Sequence, residues 1–246
     1  MIRKVYRLGE ASLHARLRDL AAPQHELRNL FWECTLSCNA NCKHCGSDAQ
    51  RRRYDDELST DEITAAFKDI AHSMDAREVM VSVTGGEPML RPDLGEVMGL
   101  ARSLGFSWGM TTNGTLLDDD GVALLKESGL STISVSIDGM RETHDSFRGL
   151  PGSFDCIGDN IKRLRAAGFV RHLQVTTVFH KHNIAELDDL YALLCTYGLD
   201  SWRVTALDPI GRAGDHADLL LDGADLKRLL DFVKLKRRHG PLPLRY

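Results

Sequence analysis

The segment STDEITAAFKDIAHSMDAREVMVSVTGGEP, Ser59 to Pro88, holds one complete helix–strand–loop unit. Ser59 and Glu62 make the S-x-x-E signature of a capped helix start. Apolar residues then follow at Ile63, Ala66, Phe67, Ile70 and Met74, the spacing of one helical face. EVMVSVTG changes the period and reads as a valine-rich strand. TGGEP closes the unit with two glycines, an acid and a proline stop.

The unit recurs on both sides. Upstream, LFWECT (30–35) reads as a strand followed by the polar loop GSDAQRRRYDDEL. Downstream, helices are expected over Pro92–Leu104, Asp118–Ser128, Ser153–Ala167, Asn183–Tyr197 (opened by an N-x-x-E cap) and Asp222–His239. Between them lie the strands FSWGMTT, TISVSID, HLQVTTVF and WRVTALD. Runs rich in Val, Ile and Thr alternating with amphipathic helices imply parallel strands joined by right-handed crossovers. Six such units without a linker-like break predict an α/β fold, a partial (β/α)6 TIM-like barrel of parallel strands; an open doubly wound sheet is the rival. The expected organisation is an N-terminal extension over 1–29, a core barrel over 30–215, and a C-terminal helix with a truncated tail over 216–246.

With 246 residues, a formal net charge of −4 and 43% hydrophobic content, this is the profile of an ordinary globular chain. The mild acidity lacks the basic face that nucleic acid requires. No run approaches the ~20 apolar residues of a membrane span, and the N-terminus has no apolar signal-peptide core. The expected setting is therefore the cytoplasm, with neither nucleic acid nor membrane as partner. In that reducing compartment, clustered cysteines point to metal ligands or catalytic thiols.

Residues wasteful for a scaffold gather where strands end: Cys38–Cys45, TGGEP (84–88), TTNG (111–114), SIDG (136–139), FHKHN (179–183) and DPIG (208–211). In parallel α/β folds the carboxyl ends of the strands open onto the active site. CNANCKHC has the spacing C-x3-C-x2-C. Three thiolates on so short a loop either wrap one iron–sulfur cluster or contribute to a zinc site, although structural zinc almost always takes four protein ligands. Cys34, inside LFWECT, reads as a small buried core residue. RRR (51–53) reads as solvated surface, and KLKRRHG complements the negative end of the last helix. His180 and His182 either face the pocket or lie exposed in a loop. The markers of dinucleotide, P-loop, serine-hydrolase and zincin chemistry are absent.

C-x3-C-x2-C at the end of a first strand, with a His before the last cysteine, resembles the signature of radical S-adenosylmethionine (radical SAM) enzymes. TGGEP resembles that family's GGE motif, and SVSIDG its fourth-strand motif. HDSFRG (144–149) and DPIGRA (208–213) resemble segments of its peptide-modifying branch. The resemblance covers roughly residues 30–215. It implies that Cys38, Cys42 and Cys45 hold a [4Fe-4S] cluster whose fourth iron binds S-adenosyl-L-methionine (SAM). Gly85, Gly86 and Glu87 would hold the SAM amino group, Ser136 and Asp138 its ribose or carboxylate end, and Arg148 its carboxylate. A guanidinium suits the last task because it is planar, permanently charged and bidentate. Thr112 or Asn113 would lie beside the ligand, with His44 and DPIGRA against adenine.

The implied reaction is reductive cleavage of SAM to methionine and a 5′-deoxyadenosyl radical, which takes hydrogen from a peptide or protein substrate. A one-electron donor such as flavodoxin or ferredoxin would supply the electron. Relatives in haem or cofactor biosynthesis share several of these loops and form the alternative; a non-catalytic zinc-binding α/β scaffold is the alternative from another class. No catalytic acid or base is assigned. One departure matters: the branch commonly continues into a cysteine-rich SPASM or Twitch extension, whereas this sequence stops at PLPLRY, as a fragment or a minimal enzyme would.

Overall fold

The structure, a computed structural model, describes residues 26–52, Tyr54 and 56–246, together with Arg16. Most of the expected N-terminal extension, and Arg53, lie outside the described residues. Seven strands form one sheet in sequential order: β1 Asn29–Glu33, β2 Met80–Thr84, β3 Ser107–Thr112, β4 Thr132–Ser136, β5 His172–Phe179, β6 Ser201–Ala206 and β7 Leu244–Arg245. Every neighbouring pair is parallel. The helices are α1 Thr60–Ser73, α2 Leu94–Ser103, α3 Asp119–Glu127, α4 Arg141–Arg148, α5 Ser153–Ala167, α6 Leu187–Leu194 and α7 Gly223–His239. Strictly sequential parallel order is what repeated right-handed crossovers produce. A doubly wound sheet would reverse its order at a switch point, and this sheet does not. β1 and β7 are not paired with each other, so the barrel is partial.

The expected cap of α1 is present, and α7 carries one as well. Ser59 Oγ accepts from Glu62 N while the Glu62 carboxylate accepts from Ser59 N at 2.8 Å, and Asp222 with Asp225 does the same for α7. The expected N-x-x-E cap at Asn183 is not. Asn183 Oδ1 accepts from His180 N at 2.7 Å, and the Glu186 carboxylate accepts from Met140 N and Thr143 Oγ1. Those two side chains tie the β5–α6 connection to itself and to α4, so α6 begins only at Leu187, after a 3-10 turn. Two elements go beyond the six expected units: the short helix α4, and β7, which the C-terminal PLPLRY contributes to the sheet.

Side chains alternate across each strand. Val81 and Val83, Ile133 and Val135, and Leu173 and Val175 face outward and are buried in one core with Phe67, Val97, Leu125, Ile161 and Leu190 of the helices. Trp202 anchors the far end, with ring centroids of Phe179, Tyr191 and Phe232 at 5.9, 5.8 and 6.1 Å. Residues 216–246 join this same core and sheet through Phe232, Val233 and Leu244. The inward positions are different in kind: Ser82, Gly109, Thr111, Thr132, Ser134, Gln174 and Thr176. A closed barrel fills that space with bulky branched side chains; here a polar lumen stays open above the sheet.

Candidate functional site

The loop carrying Cys38, Cys42 and Cys45 is clamped by three neighbours. The β2–α2 loop meets it first: Gly86 N donates to Thr35 O at 2.6 Å and Glu87 N to Ser37 O at 2.8 Å. Gly85 has φ 145°, and a β-carbon there would stand 2.3 Å from Thr35 O; at Gly86 it would stand 2.2 Å from Ser37 O. The glycine pair is thus demanded by close approach of two backbones. α4 is the second clamp, its Arg148 and Phe147 carbonyls accepting from Asn41 N and Lys43 N at 3.0 Å each. The β6 loop is the third. Arg212 N donates to Cys45 O at 3.1 Å, and its guanidinium reaches Asn41 Oδ1 and Ala49 O at 2.9 and 3.1 Å.

Cys38, Cys42 and Cys45 pack in one cluster with Ala40 and Ala49. Each sulfur faces an N–H: Ala40 N at 3.4 Å, Arg148 Nη1 at 3.6 Å and Ala49 N at 3.3 Å, respectively. Such donors stabilise thiolates and tune an iron–sulfur centre. Burial raises the Cys38 and Cys42 thiols above their ordinary range, so a metal must displace their protons. No three His, Cys, Asp or Glu side chains among the described residues converge on a point where one ion would fit. Structural zinc almost always takes four protein ligands, and Cys38, Cys42 and Cys45 are three. The donor set therefore fits a three-cysteine cluster. Cys34 does not join it: it is buried in the main core, where burial pushes its thiol up to about 12.

Behind the cysteines stands a buried ion pair. Arg148 Nε and Nη2 donate to Asp138 Oδ2 at 2.7 and 2.6 Å, and Val178 N donates to Oδ1 at 2.7 Å. Burial alone would raise the Asp138 carboxyl, but the Arg148 charge, with His44 and His144, holds it below the usual range. Rings stack alongside: His44 on Phe147 at 4.5 Å and Phe147 on His180 at 4.0 Å. Burial takes His44, His144 and His180 each down to about 4, so all three are neutral at pH 7. His44 Nδ1, His144 Nε2 and His180 Nε2 are buried without a hydrogen-bond partner among the described residues. Unspent polar capacity of that kind is costly in a native fold and marks a place for a polar ligand.

Glu87 is fully buried. Its Oε1 accepts from Thr112 Oγ1 at 2.7 Å and Met89 N at 3.2 Å, its Oε2 from Asn113 N at 2.7 Å. Burial raises its carboxyl against those donors. Asn113 Nδ2 carries the network on to Asn39 Oδ1 at 2.7 Å, inside the cysteine loop. Ser136 is buried at the end of β4 and heads an inward-facing row. The structure thus brings His44, Asp138, Arg148 and Cys42 together, and Glu87 together with Asn113. His180 belongs to the ring stack, whereas His182 is exposed. A cavity of about 1140 Å3 opens against Cys38 and Asn39, walled by Arg51, Arg52, Tyr54 and Leu90.

Reading single residues out of HDSFRG and DPIGRA overlooked Phe147, His144 and Arg212. One signal was present: Gly149, at φ 59°, ends α4 in the left-handed cap that follows many helices.

An open parallel barrel with three clustered thiols beyond its first strand defines an α/β protein built around a cysteine-held cluster. Its family follows from comparison. The profile of the radical SAM superfamily matches residues 32–194, and the chain belongs to that superfamily, which binds a [4Fe-4S] cluster and SAM. The AdoMet-dependent heme synthase of Nitratidesulfovibrio vulgaris is 35% identical over 218 residues, 85% of this chain and 57% of that protein. The mycofactocin maturase of Mycobacterium ulcerans is 35% identical over 188 residues, 76% of this chain and 49% of that protein. Streptococcus suis SuiB, bound to S-adenosylmethionine or to precursor peptide SuiA, shares the fold with TM-scores of 0.72 and 0.71 at 18% identity. Those superpositions cover 96% of this chain and 55% and 53% of SuiB. The chain spans just over half the length of the heme synthase.

Proposed function

We propose that this chain forms the catalytic barrel of a radical SAM enzyme that removes a hydrogen atom from a peptide or protein substrate. The observation that carries the reading is the cysteine trio: three thiols packed in one cluster, with one N–H facing each sulfur. When bound, the cluster and SAM supply reductive cleavage of a carbon–sulfur bond and a radical able to attack an unactivated carbon. The residues of the chain bind, orient and exclude water. Cys38, Cys42 and Cys45 ligate the cluster. Gly85, Gly86 and Glu87 take the amino group of SAM, with Asn113 beside it. Ser136 takes its ribose or carboxylate end, Asp138 acts there through Arg148, which it holds, and His44 lies against its adenine. Arg148 is held by Asp138, so it meets the SAM carboxylate without reorganising, as electrostatic preorganisation requires.

The peptide reading draws support from the mycofactocin maturase and from SuiB bound to a precursor peptide. A second reading, a tetrapyrrole substrate, is favoured by the heme synthase at 35% identity. Either needs an external one-electron donor of the flavodoxin or ferredoxin kind, and a reducing cytoplasmic setting in which the thiols stay free.

Anaerobic reconstitution with iron and sulfide tests the reading. The protein is expected to turn brown and, with a reductant, to convert SAM to 5′-deoxyadenosine. Cys38→Ala, Cys42→Ala and Cys45→Ala should each lose the colour, while Cys34→Ala keeps it. A colourless chain holding one tight zinc, or a Cys42→Ala variant that still cleaves SAM, overturns it.

A further inference from the structure

The inward face of the sheet carries a charge arrangement that the cluster and SAM do not use. Residues paired across parallel strands point to the same face. From Ser136 the register runs to Thr176, then to Arg203, then to Arg245. Two arginines therefore stand side by side at the level of Ser136, with Arg203 two strand spacings, about 10 Å, away. Both line a cavity of about 250 Å3 together with Ser82, Thr111, Ser134 and Gln174, and none of its lining residues is acidic. Arg148, Arg165 and Arg212 have carboxylate partners in Asp138, Asp200 and Asp48, whereas Arg203 and Arg245, like Arg102 and Arg171, have none among the described residues. Glu33, the acid on the inward side of β1, lies at the opposite edge of the sheet and is bonded to Ser47.

Like charges directly opposite each other on neighbouring strands repel. A scaffold gains nothing by placing them so, and both are exposed to the lumen. A bound anion removes the repulsion. The hydroxyl and amide side chains around the pair suit a flat, multiply hydrogen-bonded acceptor, and guanidinium forks match carboxylate geometry.

We propose that Arg203 and Arg245 form the carboxylate-binding end of the substrate pocket, so that the molecule acted on carries a carboxylate anchored in the lumen beyond Ser136. The proposal rests on the radical SAM reading for the place of SAM, and it narrows the substrate class within it. A peptide offers a carboxylate at its C-terminus or on acidic side chains, and a tetrapyrrole offers it on its acidic arms. The anchor holds the substrate across the lumen, with its reacting carbon between the arginine pair and the SAM site.

The test compares acids with their neutral derivatives on the reconstituted, SAM-loaded protein, reading equilibrium binding rather than turnover. One arm uses iron coproporphyrin III against its tetramethyl ester. The other uses a pool of random octapeptides against the same pool with all carboxyls amidated. The expected result is an acid preferred over its neutral form by about tenfold or more in one arm, the scale of a charge-assisted contact. Arg203→Gln and Arg245→Gln should each reduce that preference severalfold, the double variant should abolish it, and Arg203→Lys should restore part of it. The arm that shows the preference identifies the source of the carboxylate. Equal binding of acid and neutral forms in both arms, or a preference that survives in the double variant, overturns the proposal. Failure of the wild type to cleave SAM would instead sink the radical SAM reading, and leaves the acid preference to be judged on its own data.

Discussion

At Gly86 a β-carbon would lie 2.2 Å from Ser37 O, in the residue just ahead of Cys38. The obstacle is backbone, which cannot swing aside as a side chain can. Gly86→Ala should therefore cost about 1–3 kcal/mol, the usual range for overpacking, and should lower iron retention because the cysteine loop has to shift. Gly99, inside α2, has nothing within 4 Å of the same position, so Gly99→Ala should stabilise by about 0.5–1 kcal/mol. Urea unfolding of the two variants checks the pair, and equal effects would refute the backbone argument. Asp145 supports a second prediction. Its carboxylate accepts from Gly152 N, Ser153 Oγ and Phe154 N at 2.6, 2.9 and 2.9 Å, so a residue of α4 caps α5. Burial would raise this carboxyl, but the donors outweigh burial and hold it below the usual range. A lowered folded-state pKa means that its stabilisation is complete above the unfolded value of about 3.9 and is lost as pH falls through the lower folded value. Asp145→Ala should cost about 1 kcal/mol at pH 6, with the gap to wild type closing as pH falls below the unfolded value. Denaturation across that pH range measures it.

Among the elements, the least regular ones hold the site. The cysteine loop has no helix or strand of its own and is positioned by the β2–α2 loop, by α4 and by Arg212. Arg212→Ala should accordingly raise the rate of iron release to a chelator by about tenfold, the scale set by loss of an outer partner of a metal site. It should leave the unfolding midpoint nearly unchanged, since Arg212 packs no core. Release at the wild-type rate would show the clamp to be idle. These holding elements were also the hard ones to read in the sequence. The strand–helix alternation, the Ser59 capping box and the cysteine trio were legible because they are short-range patterns of apolar period, cap chemistry and thiol spacing. α4 was not, because the residues it buries include His144 and Arg148, which carry no hydrophobic signal. β7 is two residues long and sits behind Pro241 and Pro243, yet Pro243 needs only its carbonyl, which accepts from Trp202 N at 2.8 Å. The Asn183 cap failed since its side chain accepts from His180 N within the same connection, while that of Glu186 found a tertiary partner in Met140 N. Glu87 was legible as a site residue, but its bonds to Thr112 and Asn113 link loops about 25 residues apart, beyond any local pattern.

The molecule as a whole divides the labour between the two faces of one sheet. Its outward face and the helices supply the core, while the inward face is kept polar and open for ligands. A parallel sheet covered on both faces would show near-continuous hydrophobic strands; TISVS and HLQVTTVF alternate instead, and the polar residues look inward except Thr177, which is buried and accepts from Trp202 Nε1. If stability resides in the outer shell, neighbours on one strand should respond very differently to truncation. Ile133 on β4 is 2% exposed and packed in the core, so Ile133→Ala should cost about 2–5 kcal/mol. Ser134 faces the lumen, where its hydroxyl bonds with Thr176 Oγ1 at 2.7 Å and accepts from Gln174 Nε2 at 3.2 Å. Those bonds join side chains that would otherwise meet water, so Ser134→Ala should cost about 1 kcal/mol or less. Urea denaturation of the two variants on an otherwise identical chain makes the comparison. Should Ser134→Ala prove as damaging as Ile133→Ala, the lumen would be a structural core in its own right, and the inward polar rows could not be assigned to the substrate.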